Sequence, residues 1–269
     1  METINAIARL LDEVKAKKPL VHQITNYVTV NDCANIVLAL GGSPVMADDE
    51  EEVEEMVAIA SALVINIGTL NSRTIRSMFQ AGKKANELGI PVILDPVGVG
   101  ATTLRTETAA RLLDELKLAV LRGNMSEIKT LAGLSAQTRG VDAADTGAGG
   151  EAVAAELARK LGCVVAVTGA TDIITDGARI GFIDNGHPIL AKVTGTGCMA
   201  TALVGCCAGA SDDYYLAACA GIMAMGLAGE KAQAGLGPEE GTGTFRVRLL
   251  DWVGRLGAAD LTKGGKYHE

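Results

Sequence analysis

Pro91-Val92-Ile93-Leu94-Asp95-Pro96-Val97-Gly98-Val99-Gly100 runs from a short apolar, β-branched segment straight into a carboxylate and a glycine-rich turn. An apolar run this short, bounded by turn residues, fits a strand buried on both faces. A helical pattern over Asn71–Leu88 precedes it and stops at Gly89-Ile90, and a second helical stretch, Arg105–Leu118, follows. Helix, strand, loop and helix in that order make the repeating unit of a parallel sheet covered by helices. The same unit recurs along the chain. Further strands are expected at Leu20–Ile24, Ala62–Ile65, Ala119–Leu121 and Cys163–Val167, and further helices at Val30–Leu40, Glu50–Ala60 and Glu151–Leu161. An N-terminal helix carries Ile4, Ile7, Ala8, Leu11 and Val14 at helical spacing.

After Val167 the pattern shortens to Asp172–Thr175 and Arg179–Ile183 around Asp176-Gly177, a hairpin signal that predicts a small antiparallel extension. Three helical runs follow, Met199–Ala210, Tyr214–Ala234 and Thr242–Leu256, the last with Phe245, Leu249, Trp252, Val253 and Leu256 on one face. The acidic stretch Asp48–Glu52, with Glu54 and Glu55, reads as negative charge at a helix N-terminus, and the tail Lys263–Glu269 as frayed. The fold class expected is α/β: a central, mostly parallel sheet with helices on both faces and a small antiparallel extension. Without a repeat or a linker, residues 1–269 are expected to form a single domain.

Composition narrows the function. Hydrophobic residues make up 48% of the chain and aromatic ones only 3%, so Ala, Val, Leu, Ile and Gly must fill the core. A formal net charge of -8 argues against a nucleic-acid partner, whose phosphates call for clustered Lys and Arg. No basic leader and no uninterrupted apolar span is evident, so neither membrane insertion nor export is expected, and a cytoplasmic protein is. Six cysteines without a CxxC pair and three scattered histidines disfavour disulfides and structural zinc.

In open α/β sheets, ligands bind beyond the carboxyl ends of the strands. Here those positions are Thr25-Asn26, Asn66-Ile67-Gly68-Thr69, Asp95 to Gly100, Arg122-Gly123-Asn124 and Thr168-Gly169-Ala170. Each alone fits a turn or a helix cap, but together they outline a crevice. Val193-Thr194-Gly195-Thr196-Gly197-Cys198-Met199-Ala200 adds a glycine pair opening an apolar helix, which fits either a tight turn into the core or an anion site at a helix N-terminus. Thr103 stands where the third glycine of a dinucleotide fingerprint would follow Gly98 and Gly100, and the chain has neither a P-loop nor a nucleophile elbow. What remains suits phosphoryl transfer, which needs phosphate positioning and charge neutralisation rather than covalent chemistry. Asp95 and Glu127 supply hard oxygen ligands for Mg²⁺, directly or through water, Arg122 pairs with phosphate oxygens, and the Gly195–Cys198 turn offers oriented N–H groups.

At this point the residues resemble a known family. Asn124-Met125-Ser126-Glu127 resembles the NxxE motif of ribokinase-like small-molecule kinases, and Gly195-Thr196-Gly197-Cys198 resembles their GxGD motif with Cys in place of Asp. His22-Gln23-Ile24-Thr25-Asn26-Tyr27-Val28, Gly41-Gly42-Ser43-Pro44-Val45-Met46, Asp95–Ala101 and Arg122-Gly123-Asn124 together resemble the hydroxyethylthiazole kinases of thiamine salvage over essentially the whole chain. The resemblance implies a ribokinase-like fold, ATP as co-substrate, Mg²⁺, phosphorylation of the hydroxyl of 4-methyl-5-(2-hydroxyethyl)thiazole, and a homotrimer with active sites between subunits. It further implies that Arg122, Thr168, Asn124 and Gly169 meet ATP, that Asp95 and Glu127 organise the metal, and that Met46, Asn26, Pro44, Val45 and Gly195 line the thiazole site. Cys198, with Gly195 and Gly197, falls at the catalytic turn. Its thiol, with an ordinary pKa near ~8.5, makes a weak base beside phosphates. The competing readings are a kinase of another heteroaromatic alcohol, of hydroxymethylpyrimidine or pyridoxal type, and a non-catalytic thiazole-binding trimer.

Overall fold

The protein, described here by a computed structural model, is defined over residues 2–137 and 149–269. Its sheet follows the order β2-β1-β3-β4-β5-β6-β7-β8-β9. The strands are β1 Leu20–Ile24, β2 Ser43–Val45, β3 Ala62–Asn66, β4 Val92–Asp95, β5 Val120–Asn124, β6 Val164–Thr168, β7 Asp172–Thr175, β8 Ile180–Ile183 and β9 Tyr267–His268. From β2 to β6 all pairings are parallel, and from β6 to β9 they are antiparallel. Apolar β-branched runs buried on both faces build this centre, because helices cover both sides.

One face carries α3 Val53–Ala58, α4 Ser72–Leu88, α5 Thr103–Glu115, α6 Met125–Gln137 and α7 Gly150–Leu161. The other carries α1 Glu2–Lys17, α2 Val30–Leu40, α8 Thr196–Ala208, α9 Tyr214–Ala234, α10 Thr242–Arg255 and α11 Ala258–Gly264. The expected α/β arrangement is therefore present, a mostly parallel sheet with helices on both faces and an antiparallel extension. Among the described residues no helix is long and apolar enough to cross a membrane.

Helix α8 is buried on every side from Met199 to Ala208. Small residues permit this: a Cβ on Gly205 would collide with Val64 and one on Gly221 of α9 would lie 2.6 Å from the Val204 amide nitrogen. With no side chain between them, α8 and α9 pack backbone to backbone, and α8 rests directly on β1, β3 and β4.

Three expectations are corrected. The helix expected from Glu50 begins only at Val53, with Glu52 at its cap and Glu54 and Glu55 in its first turn as the acidic reading expects, while Asp48 and Glu50 pair with Arg73 and Arg76 of α4. At Asp48 and Glu50, charge neutralisation across two elements wins over local capping. The tail is not frayed: α11 runs through Lys263, β9 pairs with β8, the Lys266 amide donates to Asn185 Oδ1 at 2.7 Å, and Asn185 Nδ2 donates to the Gly264 carbonyl at 3.0 Å. The strand expected at Ala119–Leu121 extends to Asn124, so Arg122 belongs to β5 itself rather than to the loop after it.

Replacing Gly221 with Ala is expected to lower stability by about 1–3 kcal/mol, because the atom opposite is backbone and cannot yield. Gly243→Ala, where a new Cβ meets nothing within 4 Å, should instead leave stability unchanged or raise it slightly. Urea midpoints of the two variants measure the difference.

Candidate active site

Alternation along the strands decides which side chains meet. Val64, Ile93, Val120 and Val164 face the core that contains α8, so Asn66, Asp95, Arg122 and Thr168, each an even number of residues further on, emerge on the same face. Register aligns them, with Asn66 opposite Asp95 and Asn124 opposite Thr168. The row ends under the N-terminus of α8.

Gly195 begins that helix at φ +86°, in the left-handed region where a side chain is strained, and a Cβ there would strike the Thr29 methyl group. The first helical bond runs from Met199 N–H to the Gly195 carbonyl at 2.8 Å, so the amides of Thr196, Gly197 and Cys198 have no intrahelical acceptor. Gly197 lies against Arg122, whose Nη1 would be 2.8 Å from an added Cβ. Free amides, the helix dipole and a guanidinium thus converge on one point, an arrangement that holds phosphate oxygens.

Cys198 Sγ accepts from Asn26 Nδ2 at 3.2 Å and from Asn66 Nδ2 at 3.3 Å. Asn66 also donates to Asp95 Oδ2 at 3.0 Å, and Thr201 Oγ1 donates to that same oxygen at 2.7 Å. Burial raises the Cys198 pKa first, and the nearby Asp95 carboxylate raises it further, outweighing the two amides. The thiol therefore stays protonated near neutral pH. Asp95 is fully buried; burial pushes its carboxyl pKa up, against the opposing pull of Arg122, whose Nη1 lies 3.7 Å away. Asp95 Oδ1 and Arg122 Nε are buried without hydrogen-bond partners.

The NxxE segment is a capping box at the start of α6. Glu127 N–H donates to Asn124 Oδ1 at 2.9 Å, while Asn124 N–H donates to Glu127 Oε2 at 2.8 Å. Glu127 Oε1 accepts the Gly98 amide at 2.8 Å, which ties the loop after β4 to the same carboxylate. Arg105, which the sequence gave no reason to single out, donates to the carbonyls of Ile67, Val97 and Gly68 at 3.0, 2.5 and 2.6 Å, fixing the loops after β3 and β4 together.

Beside the α8 turn opens a cavity of about 550 Å³ lined by Arg122, Thr168, Gly169, Thr196 and Gly197 at one end. His187, Pro188, Leu190, Ile222 and Met225 line it further along. Arg122 Nη2 donates to Thr168 Oγ1 at 2.5 Å. The apolar part eluded sequence reasoning, because it comes from a short 3-10 turn at Pro188–Lys192 and from the middle of α9, neither of which carries a motif. Of the residues expected at the nucleotide, Arg122, Thr168 and Gly169 line the cavity, whereas Asn124 does not and its side chain is spent on the cap.

The residues expected at the second substrate lie outside that lining. Pro44 and Val45 belong to edge strand β2, and Met46 follows, half-buried against the core. The buried His22 Nε2 bonds to the Ala47 carbonyl at 2.7 Å, which fixes the chain next to Met46. Asn26 Oδ1 accepts from Thr29 N–H and Oγ1, and Gly195 packs on Thr29, so Asn26 and Gly195 share one support. None of Met46, Asn26, Pro44 and Val45 lines the large cavity, while Asn26 reaches Cys198, the residue after Gly197 of the cavity wall.

A family model described as the hydroxyethylthiazole kinase family matches residues 11–258. A hydroxyethylthiazole kinase from Alkaliphilus oremlandii is 56% identical over 270 residues, covering 100% of both chains. The solved structure of a hydroxyethylthiazole kinase protein from Pyrococcus horikoshii superposes with a TM-score of 0.88 at 41% identity, over 97% of this chain and 98% of that one. A ribokinase-like superfamily protein from Enterococcus faecalis, at 13% identity and a TM-score of 0.59 over 96% and 84% of the two chains, shares the fold alone.

Asp172, which also lines the cavity, is buried, and burial raises its pKa from 3.8 to about 6. Between those values the folded state binds the proton more tightly than the unfolded chain, so this group's contribution to stability falls as pH rises from about 4 to about 6. Asp172→Asn removes the dependence. Relative to the parent, the variant should gain up to about 3 kcal/mol between pH 4 and pH 7, read from urea midpoints of the nucleotide-free protein.

Proposed function

This chain belongs to the hydroxyethylthiazole kinase family, and we propose that it transfers the γ-phosphoryl group of ATP to the primary hydroxyl of 4-methyl-5-(2-hydroxyethyl)thiazole, a salvage step toward thiamine. The reading rests most on one observation: the free amides of the α8 turn and Arg122 border the large cavity, and Asn26 bonds to Cys198 in that same turn. Nucleotide phosphates and an acceptor alcohol would meet there.

In this reading Arg122, Thr168 and Gly169 hold the phosphate chain, and the amides of Thr196, Gly197 and Cys198 receive the charge that spreads over the transferring phosphoryl oxygens. Met46, Val45, Pro44, Asn26 and Gly195 seat the thiazole, the polarizable thioether of Met46 packing on the ring. Cys198, held by two amides and kept protonated by burial and Asp95, orients the acceptor hydroxyl rather than removing its proton. A loose transition state needs little base, so positioning and charge stabilisation carry the rate.

Asp95 and Glu127 suit Mg²⁺. Asp95 Oδ1 is an unpartnered buried carboxylate oxygen, and each Glu127 oxygen accepts a single amide, leaving lone pairs for a metal-bound water. When bound, Mg²⁺ supplies charge neutralisation on the phosphate oxygens. No group of three acidic, His or Cys ligands occurs among the described residues, which suits an ion that keeps water and phosphate in its shell. We further assign the 1–269 chain to one cytoplasmic kinase domain acting as a homotrimer. Tyr27, Val28 and Leu38, 79%, 55% and 58% exposed, lie next to Asn26 or on α2 and supply apolar surface for a neighbouring subunit beside the acceptor side.

Incubation with Mg·ATP and a panel of heteroaromatic alcohols should yield ADP and phosphorylated hydroxyethylthiazole in preference to phosphorylated hydroxymethylpyrimidine or pyridoxal. Cys198→Asp should retain or raise turnover; a collapse with folding and ATP binding intact would assign the thiol an indispensable role. Glu127→Gln should raise the Mg²⁺ concentration for half-maximal rate by about tenfold or more, and an unchanged titration removes Glu127 from the metal site.

A further inference from the structure

One acidic residue in the cavity has no part in the transfer described above. Asp172 opens β7, its Oδ1 accepts the Gly169 amide at 2.9 Å, and its Oδ2 has no hydrogen-bond partner among the described residues. A carboxylate in a cavity built for a polyanion is costly unless the part of the ligand beside it is a hydrogen-bond donor.

Contacts trace the wall of the cavity. Gly197 touches Arg122, Arg122 bonds to Thr168, Thr168 leads through Gly169 to Asp172, and Thr171 Oγ1 bonds to Asp184 at 2.6 Å. Asp184 leads into Asn185 and Gly186, Asn185 backs onto Gly226, and Leu190 packs on Gly229 one helical turn away. The phosphate-holding amides and guanidinium thus occupy one side, Met225 beside the Asn185–Gly226 contact the opposite side, Leu190 bridges back to the α8 turn through the Thr196 hydroxyl at 3.0 Å, and Asp172 lies on the contact path between the two sides. A nucleoside triphosphate laid along this path has its phosphates at the first side and its flat base at the second. Its ribose falls in the middle.

We propose that Asp172 accepts a hydrogen bond from a ribose hydroxyl and so selects ribonucleotides over deoxyribonucleotides as the phosphoryl donor. The inference rests on the kinase reading above. A sugar hydroxyl is the donor that a nucleotide carries at that distance from its phosphates, and a hydrogen bond to an ionised acceptor is among the stronger ones. The Gly169 bond fixes the carboxylate's orientation, so Oδ2 is the oxygen that reads the sugar. With a nucleotide in the cavity, loss of the sugar hydroxyl would leave this carboxylate oxygen unpaired against the ligand, the situation in which discrimination by a site is greatest.

The test compares ATP, 2′-deoxy-ATP and 3′-deoxy-ATP as donors, by KM and kcat, in the parent protein and in Asp172→Asn. The parent should show a KM about tenfold or more higher for at least one deoxy analogue. In Asp172→Asn, which keeps an acceptor for the Gly169 amide, the KM for ATP should rise to that of the analogue while the thiazole KM stays unchanged. Equal KM values for all three donors in the parent would overturn the proposal without any variant. So would a variant that weakens ATP and both analogues alike, since a residue that merely shapes the Gly169 turn acts on every donor equally. Thiazole phosphorylation by the parent stands apart from both results, so failure here is distinguishable from failure of the kinase assignment.

Discussion

The close approach of α8 to the sheet is the constraint on which the rest depends. Gly205 lets the helix lie on Val64 and Val21, Gly42 makes room for Cys206, and Gly221 lets α9 press on the α8 backbone from the far side. Only because no side chain intervenes does the first turn of α8 reach the polar row formed by Asn66, Asp95 and Arg122. Its amides then act at contact distance, in a setting with little water, where partial charges are worth most. A bulkier helix would stand higher and leave the same residues facing solvent.

The polar row is unusual for a core, and its cost is met by pairing. Asn26, Asn66, Cys198, Asp95 and Thr201 form one continuous hydrogen-bonded chain linking the ends of β1, β3 and β4 to α8. Two atoms, Asp95 Oδ1 and Arg122 Nε, break the pattern, and both lie on the row that faces the α8 turn. Buried polar atoms left without partners in an otherwise satisfied network point to a ligand that completes them.

Much of the architecture was legible because short apolar runs and amphipathic helices alternate with little ambiguity. The Asp176-Gly177 hairpin and the five polar strand ends each reported a local rule that the fold obeys. What stayed hidden was set by partners distant in sequence. Arg105 carries no motif, yet it staples two loops through carbonyls that no sequence pattern reveals. Strand β2 is three residues long, too short for periodicity to register. The helix start within the acidic stretch was placed three residues early, where Asp48 and Glu50 pair with Arg73 and Arg76 more than twenty positions on. Asp172 was visible only as the first residue of a strand, and its burial in the wall of the cavity appears only in three dimensions.

The chain closes on the wall of its own large cavity through residues far downstream. Asn185 and Gly186 line the cavity, and Asn185 is gripped by Gly264 and Lys266 while Glu230 bonds to Asn185, Gly186 and Lys266 together. A polypeptide emerging vectorially from the ribosome builds the parallel strands and their helices first. The wall is pinned only when residue 266 arrives, so a chain interrupted shortly before that point would hold most of its hydrophobic core yet leave this wall unfastened. The shape of the cavity is thereby settled in one late step rather than accumulated during synthesis.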